Sequence, residues 1–329
     1  MAKIAIITDA WSPQVNGVVT TYHNTTNQLV KMGYDFFVIE PSCMKEFKKV
    51  SLPGYQEIDI VTNPWKIKAG LDYFIDQQWR VHIATEGPLG LFARLYLGWK
   101  KYPFTTCYHT KFPEFIQSST KIPAKIFYPY FRWFHNKSKC VMVPTNGMKK
   151  FLESKGFKNV NVWTRGVDTT LFNPTPYYSD YILCVSRVSH EKNLDAFCQL
   201  PHSRKVLVGD GPYLEELKAK YPDVHYAGKQ TGEELAEWYR NASCFVFPSK
   251  EDTFGIVLLE AIASGVPVAA YPEPGPMEVI NINNGMMSDD LSIAVEYALK
   301  KNRMEVYETS KRWTWESATK QFVSYLCKN

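Results

Sequence analysis

The sequence predicts an α/β protein built from two parallel-sheet domains. Its 329 residues are long for a single hydrophobic core and suit two domains of average size. Short β-branched runs alternate with helical patterns, and this alternation occurs twice along the chain. A turn-rich segment with two prolines, residues 163–176, separates the two halves. We therefore predict a domain boundary near residue 170.

Nine runs have the length and composition of buried strands, which in a parallel sheet are covered by helices on both faces. They are, in chain order, Lys3–Ile7, Asp35–Ile39, Val81–Ala84, Phe104–Cys107, Cys140–Val143, Tyr181–Val185, Lys205–Val208, Cys244–Phe247 and Val266–Ala270. Ligands bind beyond the carboxyl ends of the strands in such sheets, so two domains that face each other would enclose a cleft.

The composition is that of a well-buried globular protein, with 45% hydrophobic and 15% aromatic residues. No run approaches the roughly 18 apolar residues of a membrane span, and the chain enters a strand directly after Met1. We therefore expect a cytoplasmic protein. The seven cysteines are odd in number and lack paired spacing, which indicates reduced core residues without a disulfide frame or a zinc site. They are Cys43, Cys107, Cys140, Cys184, Cys198, Cys244 and Cys327.

The net charge of +5 conceals an asymmetry between the halves. Residues 1–170 contain 22 basic and 12 acidic side chains, net +10, whereas residues 171–329 contain 16 and 21, net −5. The basic half is expected to meet an anionic partner, such as a lipid headgroup at the inner face of a membrane, a phosphorylated carrier or an acidic glycan. Nucleic acid is disfavoured, because no recognition helix, finger or aromatic-basic sheet is evident.

The segment from Asp252 to Glu260 carries the strongest functional signal. An acidic residue, a Thr-Phe-Gly turn and an amphipathic helix that includes Glu260 follow one another. Free backbone N–H groups at the start of that helix suit a diphosphate, and the two carboxylates can accept hydrogen bonds from hydroxyl groups. A sugar nucleotide offers this combination of groups. A capping Asp before an ordinary buried helix is the alternative.

Two further loops of the second half follow predicted strands. Arg187 and Lys192 lie at a strand-to-helix turn, where two cations can clamp a diphosphate, although an exposed basic loop is the alternative. Gly209 lies in a Gly-Asp-Gly-Pro turn that allows close backbone approach to a ligand. The six-residue glycine fingerprint is missing, which disfavours a nicotinamide dehydrogenase.

The first half presents candidate residues in the loops after its own strands, where parallel sheets bind ligands. They are Asp9, Asn16, Gly17, Glu86, His109 and Lys111. The N–H of Gly17 could approach a phosphate or an acceptor, with a plain cap at Asn16 as the alternative. The carboxylates of Asp9, Glu86 and Glu114 are candidate acid or base groups. The aromatic segment Pro123–Lys139 favours core packing over an anionic membrane surface.

Seven ordered motifs together resemble glycosyltransferase family 4, retaining sugar-nucleotide enzymes of the GT-B fold. The motifs are similar in sequence to those of bacterial GDP-mannose-dependent α-mannosyltransferases and their glycolipid-forming relatives. They are Asp9–Gly17, Thr85–Gly87, Tyr108–Thr110, Arg165–Asp168, Arg187–Lys192, Val208–Pro212 and Asp252–Glu260. The resemblance implies two facing Rossmann-like domains with a deep cleft, residues 1–170 for the acceptor and 171–312 for the donor. Residues 313–329 would form a helix that crosses back onto the first domain, and donor binding would close the cleft.

The resemblance also implies roles for individual residues. Arg187 and Lys192 would bind the donor diphosphate and stabilise it as it leaves, and Glu260 would bind the ribose hydroxyls. Asp252 takes the place of the family's first Glu near the transferred sugar, and its neighbour Glu251 is the alternative. The other assignments are Gly17, Gly209, Thr253, Phe254 and Gly255 for donor contacts, His109 beside the reacting sugar, and Asp9, Asn16, Glu86 and Lys111 on the acceptor side.

The implied reaction is a retaining transfer of a hexose to a hydroxyl of a glycan or lipid-linked acceptor, in which the departing diphosphate accepts the proton. Mannose from GDP-mannose is favoured, and UDP-glucose or another UDP-hexose is the alternative donor. A sugar-nucleotide epimerase and a non-catalytic binding module are less favoured. The sequence has no metal-binding Asp-x-Asp motif, so we expect no metal and no other cofactor.

Overall fold

The computed structural model describes residues 2–14, 16–52 and 55–326. These residues form two compact units. Unit 1 extends to Thr164 and resumes at Trp315, and unit 2 runs from Arg165 to Thr314. Each unit contains a six-stranded sheet whose strand pairs are parallel, which confirms the predicted α/β class.

Unit 1 contains eight strands: β1 (Lys3–Ile7), β2 (Asp35–Ile39), β3 (Lys49–Leu52), β4 (Tyr55–Val61), β5 (Arg80–Ile83), β6 (Phe104–Cys107), β7 (Val141–Val143) and β8 (Val160–Val162). The sheet order is β2-β1-β5-β6-β7-β8, and β3 and β4 form a separate antiparallel pair. Four consecutive residues of β1, from Ile4 to Ile7, are fully buried. Helices on both faces of the sheet account for this continuous apolar run.

The helices of unit 1 up to residue 154 are α1 (Gly17–Lys31), α2 (Lys68–Asp76), α3 (Pro88–Trp99), α4 (Phe112–Thr120), α5 (Tyr128–His135) and α6 (Asn146–Ser154), with 3₁₀ turns at Pro64–Ile67 and Ala124–Ile126. Tyr128, Phe131 and Phe134 of α5 are buried, which confirms core packing for the aromatic segment. Tyr130 and Trp133 remain exposed on its other side.

Unit 2 contains six strands: β9 (Ile182–Val185), β10 (Lys205–Val208), β11 (His225–Gly228), β12 (Cys244–Phe247), β13 (Val268–Ala270) and β14 (Gly285–Met287). Their order is β11-β10-β9-β12-β13-β14. The helices are α7 (Leu194–Cys198), α8 (Leu214–Lys220), α9 (Gly232–Asn241), α10 (Ile256–Ala263), α11 (Pro274–Val279), α12 (Leu291–Ala298) and α13 (Arg303–Glu308), with 3₁₀ turns at His190–Lys192 and Thr309–Arg312.

The last helix, α14 (Trp315–Tyr325), packs within unit 1. Its Phe322 shares an apolar cluster with Tyr22 of α1. The indole Nε1 of Trp163 donates a hydrogen bond of 3.0 Å to the carbonyl of Ala318. The end of the chain is thereby joined to the sheet and first helix of unit 1.

All nine predicted strands are present, and four of them differ by one or two residues at an end. Five strands were not predicted: β3, β4, β8, β11 and β14. β8 and β14 are edge strands of three residues, too short for a periodic pattern. The six described cysteines are free thiols, and all except Cys43 are buried, as predicted; Cys327 lies outside the described residues. Among the described helices, none is both long and apolar enough to cross a membrane.

The strand order reverses beside the first strand of each sheet. In unit 1 the reversal lies between β1 and β5, and in unit 2 it lies between β9 and β12. The loops that leave these neighbouring strands diverge to opposite faces of the sheet, and the crevice between them is the usual ligand position in open α/β sheets. These loops contain most of the residues singled out from the sequence.

Candidate functional site

Lys192 and Asp252 meet at the strand-order reversal of unit 2. Lys192 ends the 3₁₀ turn after β9, and Asp252 lies in the loop after β12. The Nζ atom of Lys192 donates a hydrogen bond of 2.6 Å to Oδ1 of Asp252, and the two side chains are 22% and 25% exposed. The structure thus brings together two predicted site residues that are 60 positions apart. The pair stays accessible to a ligand.

The backbone around Lys192 is fixed by its neighbours. Asn193 adopts a left-handed conformation with φ of 54°, and its Nδ2 donates to the carbonyl of Pro248, 3.1 Å away. Ser189 Oγ donates to the carboxylate of Glu191 at 2.6 Å. Arg187 lies in the same loop and is partly exposed. The loop after β9 is therefore tied to the end of β12, which positions its two cations.

Two glycines allow close approach in this region. A Cβ atom on Gly209, where φ is +147°, would lie 1.8 Å from the carbonyl oxygen of Ser186. Gly255, with φ of +84°, begins α10, and a Cβ there would lie 2.9 Å from the ring of Phe247. Only glycine fits either position without displacement of the chain. Packing alone therefore accounts for both glycines, and their contacts to a donor remain predictions.

The turn before α10 has a buried side chain next to a partly exposed one. Phe254 is buried and packs edge-on against Trp313, with ring centroids 6.0 Å apart. Thr253 is partly exposed. The buried Phe254 fixes the turn, so that the preceding backbone and the first N–H groups of α10 hold their positions.

Glu260 lies on α10 and accepts a hydrogen bond from a neighbouring helix of unit 2. The hydroxyl of Tyr239 on α9 donates a hydrogen bond of 2.9 Å to Oε2 of Glu260. Burial raises the pKa of Glu260 to about 7, and the hydrogen bond from Tyr239 opposes that change. The pKa of this carboxyl group therefore lies close to neutral pH.

Asp9 caps helix α3 in unit 1. Its carboxylate accepts hydrogen bonds from the backbone N–H groups of Leu89 (2.8 Å) and Gly90 (3.3 Å) and from the hydroxyl of Thr85 (2.8 Å). A Cβ on Gly87 would lie 2.4 Å from the carboxyl carbon of Asp9, so glycine is required there. Burial raises the pKa of Asp9 to about 6. The geometry is that of a cap, and the acceptor role of Asp9 remains a prediction.

Glu86 lies in the loop between β5 and α3 and pairs with a histidine. Nε2 of His135 donates to Oε1 of Glu86 at 3.0 Å, and the two side chains are 0% and 6% exposed. The other ring nitrogen of His135 lies 2.9 Å from the hydroxyl of Thr106 on β6. The Glu86 carboxylate is thereby held at the carboxyl end of β5.

His109 ends a chain of hydrogen bonds that runs through the interior of unit 1. Its Nε2 lies 3.0 Å from the hydroxyl of Tyr22, which lies 2.7 Å from Nε2 of His82. Nδ1 of His82 lies 2.8 Å from the hydroxyl of Thr105. Burial lowers the pKa of His82 to about 3, so this ring is neutral. His109 is thus connected through Tyr22 to a buried, uncharged histidine.

The remaining candidates of unit 1 have local roles. Asn16 Oδ1 accepts hydrogen bonds of 3.0 Å from the N–H groups of Val18 and Val19, so Asn16 caps α1, which begins at Gly17. Lys111 precedes α4, with its Nζ 5.6 Å from the centroid of the Phe151 ring. The hydroxyl of Tyr128 donates to Glu114 at 2.5 Å.

Four partners of the candidate residues were not found from the sequence: Tyr22, His82, His135 and Tyr239. A signal existed for His82, because a polar residue in an otherwise apolar strand run needs a buried partner. Tyr22 and Tyr239 gave no such sequence signal, since an aromatic residue on a helix face usually indicates core packing.

Two family models match the chain. The model of Glycosyltransferase Family 4 matches residues 15–171, and the model of Glycosyl transferases group 1 matches residues 179–301. The first model therefore matches most of unit 1, and the second model matches most of unit 2.

Individual proteins agree with these models. The GDP-mannose-dependent alpha-mannosyltransferase of Mycobacterium tuberculosis is 29% identical, in an alignment of length 315 that covers 84% of this chain and 81% of that protein. The alpha-monoglucosyldiacylglycerol synthase of Streptococcus pneumoniae is 23% identical, in an alignment of length 342 that covers 90% of this chain and 75% of that one. The structure of sucrose-phosphate synthase from Thermosynechococcus elongatus superimposes with a TM-score of 0.77 at 18% identity and covers 98% of both chains. This likeness confirms the GT-B fold.

Proposed function

Because the chain belongs to glycosyltransferase family 4 and is a hexosyltransferase, we propose that it transfers mannose from GDP-mannose with retention of anomeric configuration. The acceptor is a hydroxyl group of a glycan or of a lipid-linked molecule. The similarity to a protein named as a GDP-mannose-dependent alpha-mannosyltransferase supports this donor.

The contact between Lys192 and Asp252 is the observation that carries the proposal. A diphosphate that approaches Lys192 meets a preformed cation, and Arg187 of the same loop adds a second one. As the bond to the sugar breaks, negative charge develops on the diphosphate, and fixed cations stabilise it without reorganisation. Asp252, held against Lys192, accepts hydrogen bonds from hydroxyl groups of the transferred sugar.

Glu260 completes the donor site. Its carboxyl group, oriented by Tyr239, binds the ribose hydroxyls. The N–H groups at the start of α10 and the backbone of Thr253, Phe254 and Gly255 provide further donors. These contacts are all made by unit 2.

The acceptor belongs to unit 1 in this proposal. His109, held through Tyr22, lies beside the reacting sugar, and Glu86 is a carboxylate fixed at a strand end. Asp9, Asn16 and Lys111 lie in the neighbouring loops, and Gly17 offers its N–H at the start of α1. The departing diphosphate takes the proton of the acceptor hydroxyl.

The proposal also includes metal independence and association with a membrane. The reaction proceeds without a metal ion, an expectation that rests on the missing Asp-x-Asp motif. The protein associates with the surface of an anionic membrane through its basic first half, at +10 over residues 1–170. The similarity to a protein named as a diacylglycerol glycolipid synthase supports a lipid setting.

A donor screen tests the proposal. Hydrolysis and transfer are measured with GDP-mannose, UDP-glucose, UDP-galactose and UDP-N-acetylglucosamine, with and without EDTA, and the product linkage is determined by NMR. We expect turnover with GDP-mannose, insensitivity to EDTA and an α-linked product. UDP-glucose is the second candidate, because one of the relatives is named as a glucosyl-transferring synthase. An inverted anomer would contradict the mechanism, and activity restored by Mn²⁺ after EDTA would contradict metal independence.

A further inference from the structure

Helix α3 carries more apolar surface than its core packing uses. Its twelve residues include a single charged side chain, Arg94, and that side chain is buried. Leu89, Ala93 and Leu97 form the face that packs into the core. A helix at a protein surface normally presents polar residues on its opposite face. Here the opposite face instead carries Leu95 and Trp99, which are exposed, and Leu91 and Phe92, which are partly buried at the edge of the same core cluster.

A groove runs along this second face. It lies between α3 and the 3₁₀ turn Pro64–Ile67 and has a volume of about 390 Å³. Its walls are Pro64, Pro88, Leu91, Phe92 and Leu95, with Glu86 at the end where α3 begins. The distance along the helix from Pro88 to Leu95 is about 10 Å, from a rise of about 1.5 Å per residue. The groove is thus an open apolar depression along α3, and a candidate acceptor residue lies at one of its ends.

Exposed tryptophans and lysines lie on and next to the helix and the 3₁₀ turn that border the groove. Trp65 and Trp99 are 57% and 71% exposed. Tyr96 stacks on Phe92 of the groove wall at 6.0 Å, and the Nζ atoms of Lys68 and Lys100 lie 5.5 and 5.7 Å from its ring centroid. Both lysines also face the carboxylate of Asp72, at 2.7 and 3.9 Å, so two cations and one anion leave this cluster with a net positive charge. Tryptophan is favoured at the interface of a membrane with water, and lysine is attracted to anionic lipid headgroups. The open end therefore has the chemistry of a membrane-facing edge.

We propose that this groove binds the hydrocarbon chain of a lipid-linked acceptor, with the polar head of the acceptor at Glu86 and the chain directed past Leu95 towards Trp99. An apolar wall excludes water from the chain, and the carboxylate of Glu86 accepts hydrogen bonds from hydroxyl groups of the head. The inference rests on the proposed function and narrows it, because it selects a lipid-linked acceptor over a free glycan.

Binding of a single-chain probe tests the groove. Radiolabelled n-decyl α-D-mannopyranoside, kept below its micelle concentration, and methyl α-D-mannopyranoside are compared by equilibrium dialysis with the full chain. We expect the decyl compound to bind at least tenfold more tightly than the methyl compound. Leu95→Glu should weaken decyl binding at least tenfold, because it places a charge in the apolar groove. Equal binding of the two compounds, or unchanged decyl binding by the variant, would overturn the proposal.

Two controls complete the test. Leu299→Glu changes a leucine of similar exposure in unit 2, 40% against 47% for Leu95, and should leave decyl binding within twofold of the unmodified protein. Phe92→Ala removes part of the wall without adding a charge, so it replaces Leu95→Glu if that variant fails to show a cooperative thermal transition. It is expected to weaken decyl binding several-fold.

Membrane binding and donor binding are measured separately. If Leu95→Glu lowers sedimentation with phosphatidylglycerol vesicles while monomeric decyl mannoside does not bind, the groove faces bilayer lipid and the acceptor-chain proposal is wrong. Calorimetric titration with GDP-mannose and UDP-glucose reports on unit 2. Failure of both donors to bind would remove the proposed function while saturable decyl binding persisted, so the two failures are distinguishable.

Discussion

The two units hold their candidate site residues in different ways. In unit 2, Lys192 and Asp252 pair with each other and keep about a quarter of their side-chain surface exposed. In unit 1, Asp9 is bound by the N–H groups of α3, and Glu86 is bound by His135 with almost no exposure. An accessible ion pair can exchange one partner for a ligand, whereas a carboxylate that is hydrogen-bonded within the protein also orders its own loop. Substitutions in unit 2 should therefore lower turnover, and substitutions in unit 1 should also lower stability.

The largest effect is expected for Lys192→Ala. Removal of the ammonium group leaves the departing diphosphate without one of its two proposed cations, and loss of one preorganised charge-stabilising group typically costs about 10² or more in turnover. Steady-state transfer from GDP-mannose measures the change. Because the Asp252 side chain is 25% exposed, water can solvate its carboxylate once Lys192 is removed, so the thermal transition should move little.

Lys218→Ala is the matched control. Lys218 is also a lysine of unit 2 in an ion pair, with Glu215 at 2.9 Å, but it lies on the exposed surface of α8. Its removal should leave transfer unchanged. Near-normal transfer by Lys192→Ala would remove the distinction between the two units.

The next effect is the pH dependence of stability that arises from Glu260. Its pKa is raised from 4.5 to about 7 in the folded protein, so the folded state holds the proton more tightly than the unfolded state. The corresponding stabilisation is present below pH 4.5 and is lost as the pH rises through 7, on the order of 3 kcal/mol in total. Urea denaturation of the ligand-free protein between pH 4.5 and 7.5 measures this fall together with an opposing rise up to about pH 6.5 from His82, whose pKa is lowered to about 3. The Glu260 contribution is therefore read from the difference between the unmodified protein and a variant that lacks the carboxyl group.

Glu260→Gln should remove that part of the fall, since an amide does not titrate and can still accept the hydrogen bond from Tyr239. The profile of the variant should then be nearly flat, because the raised pKa of Asp9 and the lowered pKa of His82 act in opposite directions over this range. Glu296→Gln changes an exposed glutamate paired with Lys300 and should leave the profile unchanged. A variant profile identical to that of the unmodified protein would show that Glu260 titrates normally.

The contrast between the units also explains how far the sequence alone could reach. The loops after β9 and β12 could be singled out because their charged residues lie next to apolar strand runs. Parallel topology then brings the carboxyl ends of adjacent strands to one edge of the sheet. The Lys192–Asp252 contact could not be predicted, because it depends on β9 and β12 being neighbours although β10 and β11 lie between them in the chain.

The interior of unit 1 was harder to predict for a different reason. Tyr22 lies on α1 and His82 on β5, 60 residues apart, and their hydrogen bond requires both to face the same layer between helix and sheet. Helical periodicity places Tyr22 on a buried face but does not distinguish a core aromatic from a hydrogen-bond partner. The aromatic segment of α5 shows the same limit, since its six aromatic residues correctly predicted core packing but did not indicate that Trp133 would be exposed.

The smallest effect is expected for Tyr22→Phe, which tests whether the buried chain in unit 1 supports transfer as well as structure. Neutral His82 has one N–H and one acceptor nitrogen, so the hydroxyl of Tyr22 links it to His109 with a defined direction of hydrogen bonds. Phenylalanine keeps the aromatic ring and removes the hydroxyl that lies between the two histidines. Loss of a buried hydrogen bond costs about 1 to 3 kcal/mol, and we expect transfer to fall about tenfold, because the ring of His109 loses its orientation.

Tyr102→Phe separates the effect of a lost hydrogen bond on stability from its effect on transfer. Its hydroxyl donates a hydrogen bond of 2.7 Å to the carbonyl of Trp79 within unit 1, so this variant also loses one tyrosine hydroxyl, but in the segment that precedes β6. Both variants should lower the unfolding temperature by a few degrees, and only Tyr22→Phe should lower transfer at saturating GDP-mannose. If both reduce transfer equally after correction for the folded fraction, the chain from Thr105 to His109 has a structural role alone, and unit 1 acts as a scaffold whose carboxylates and histidines serve its own loops.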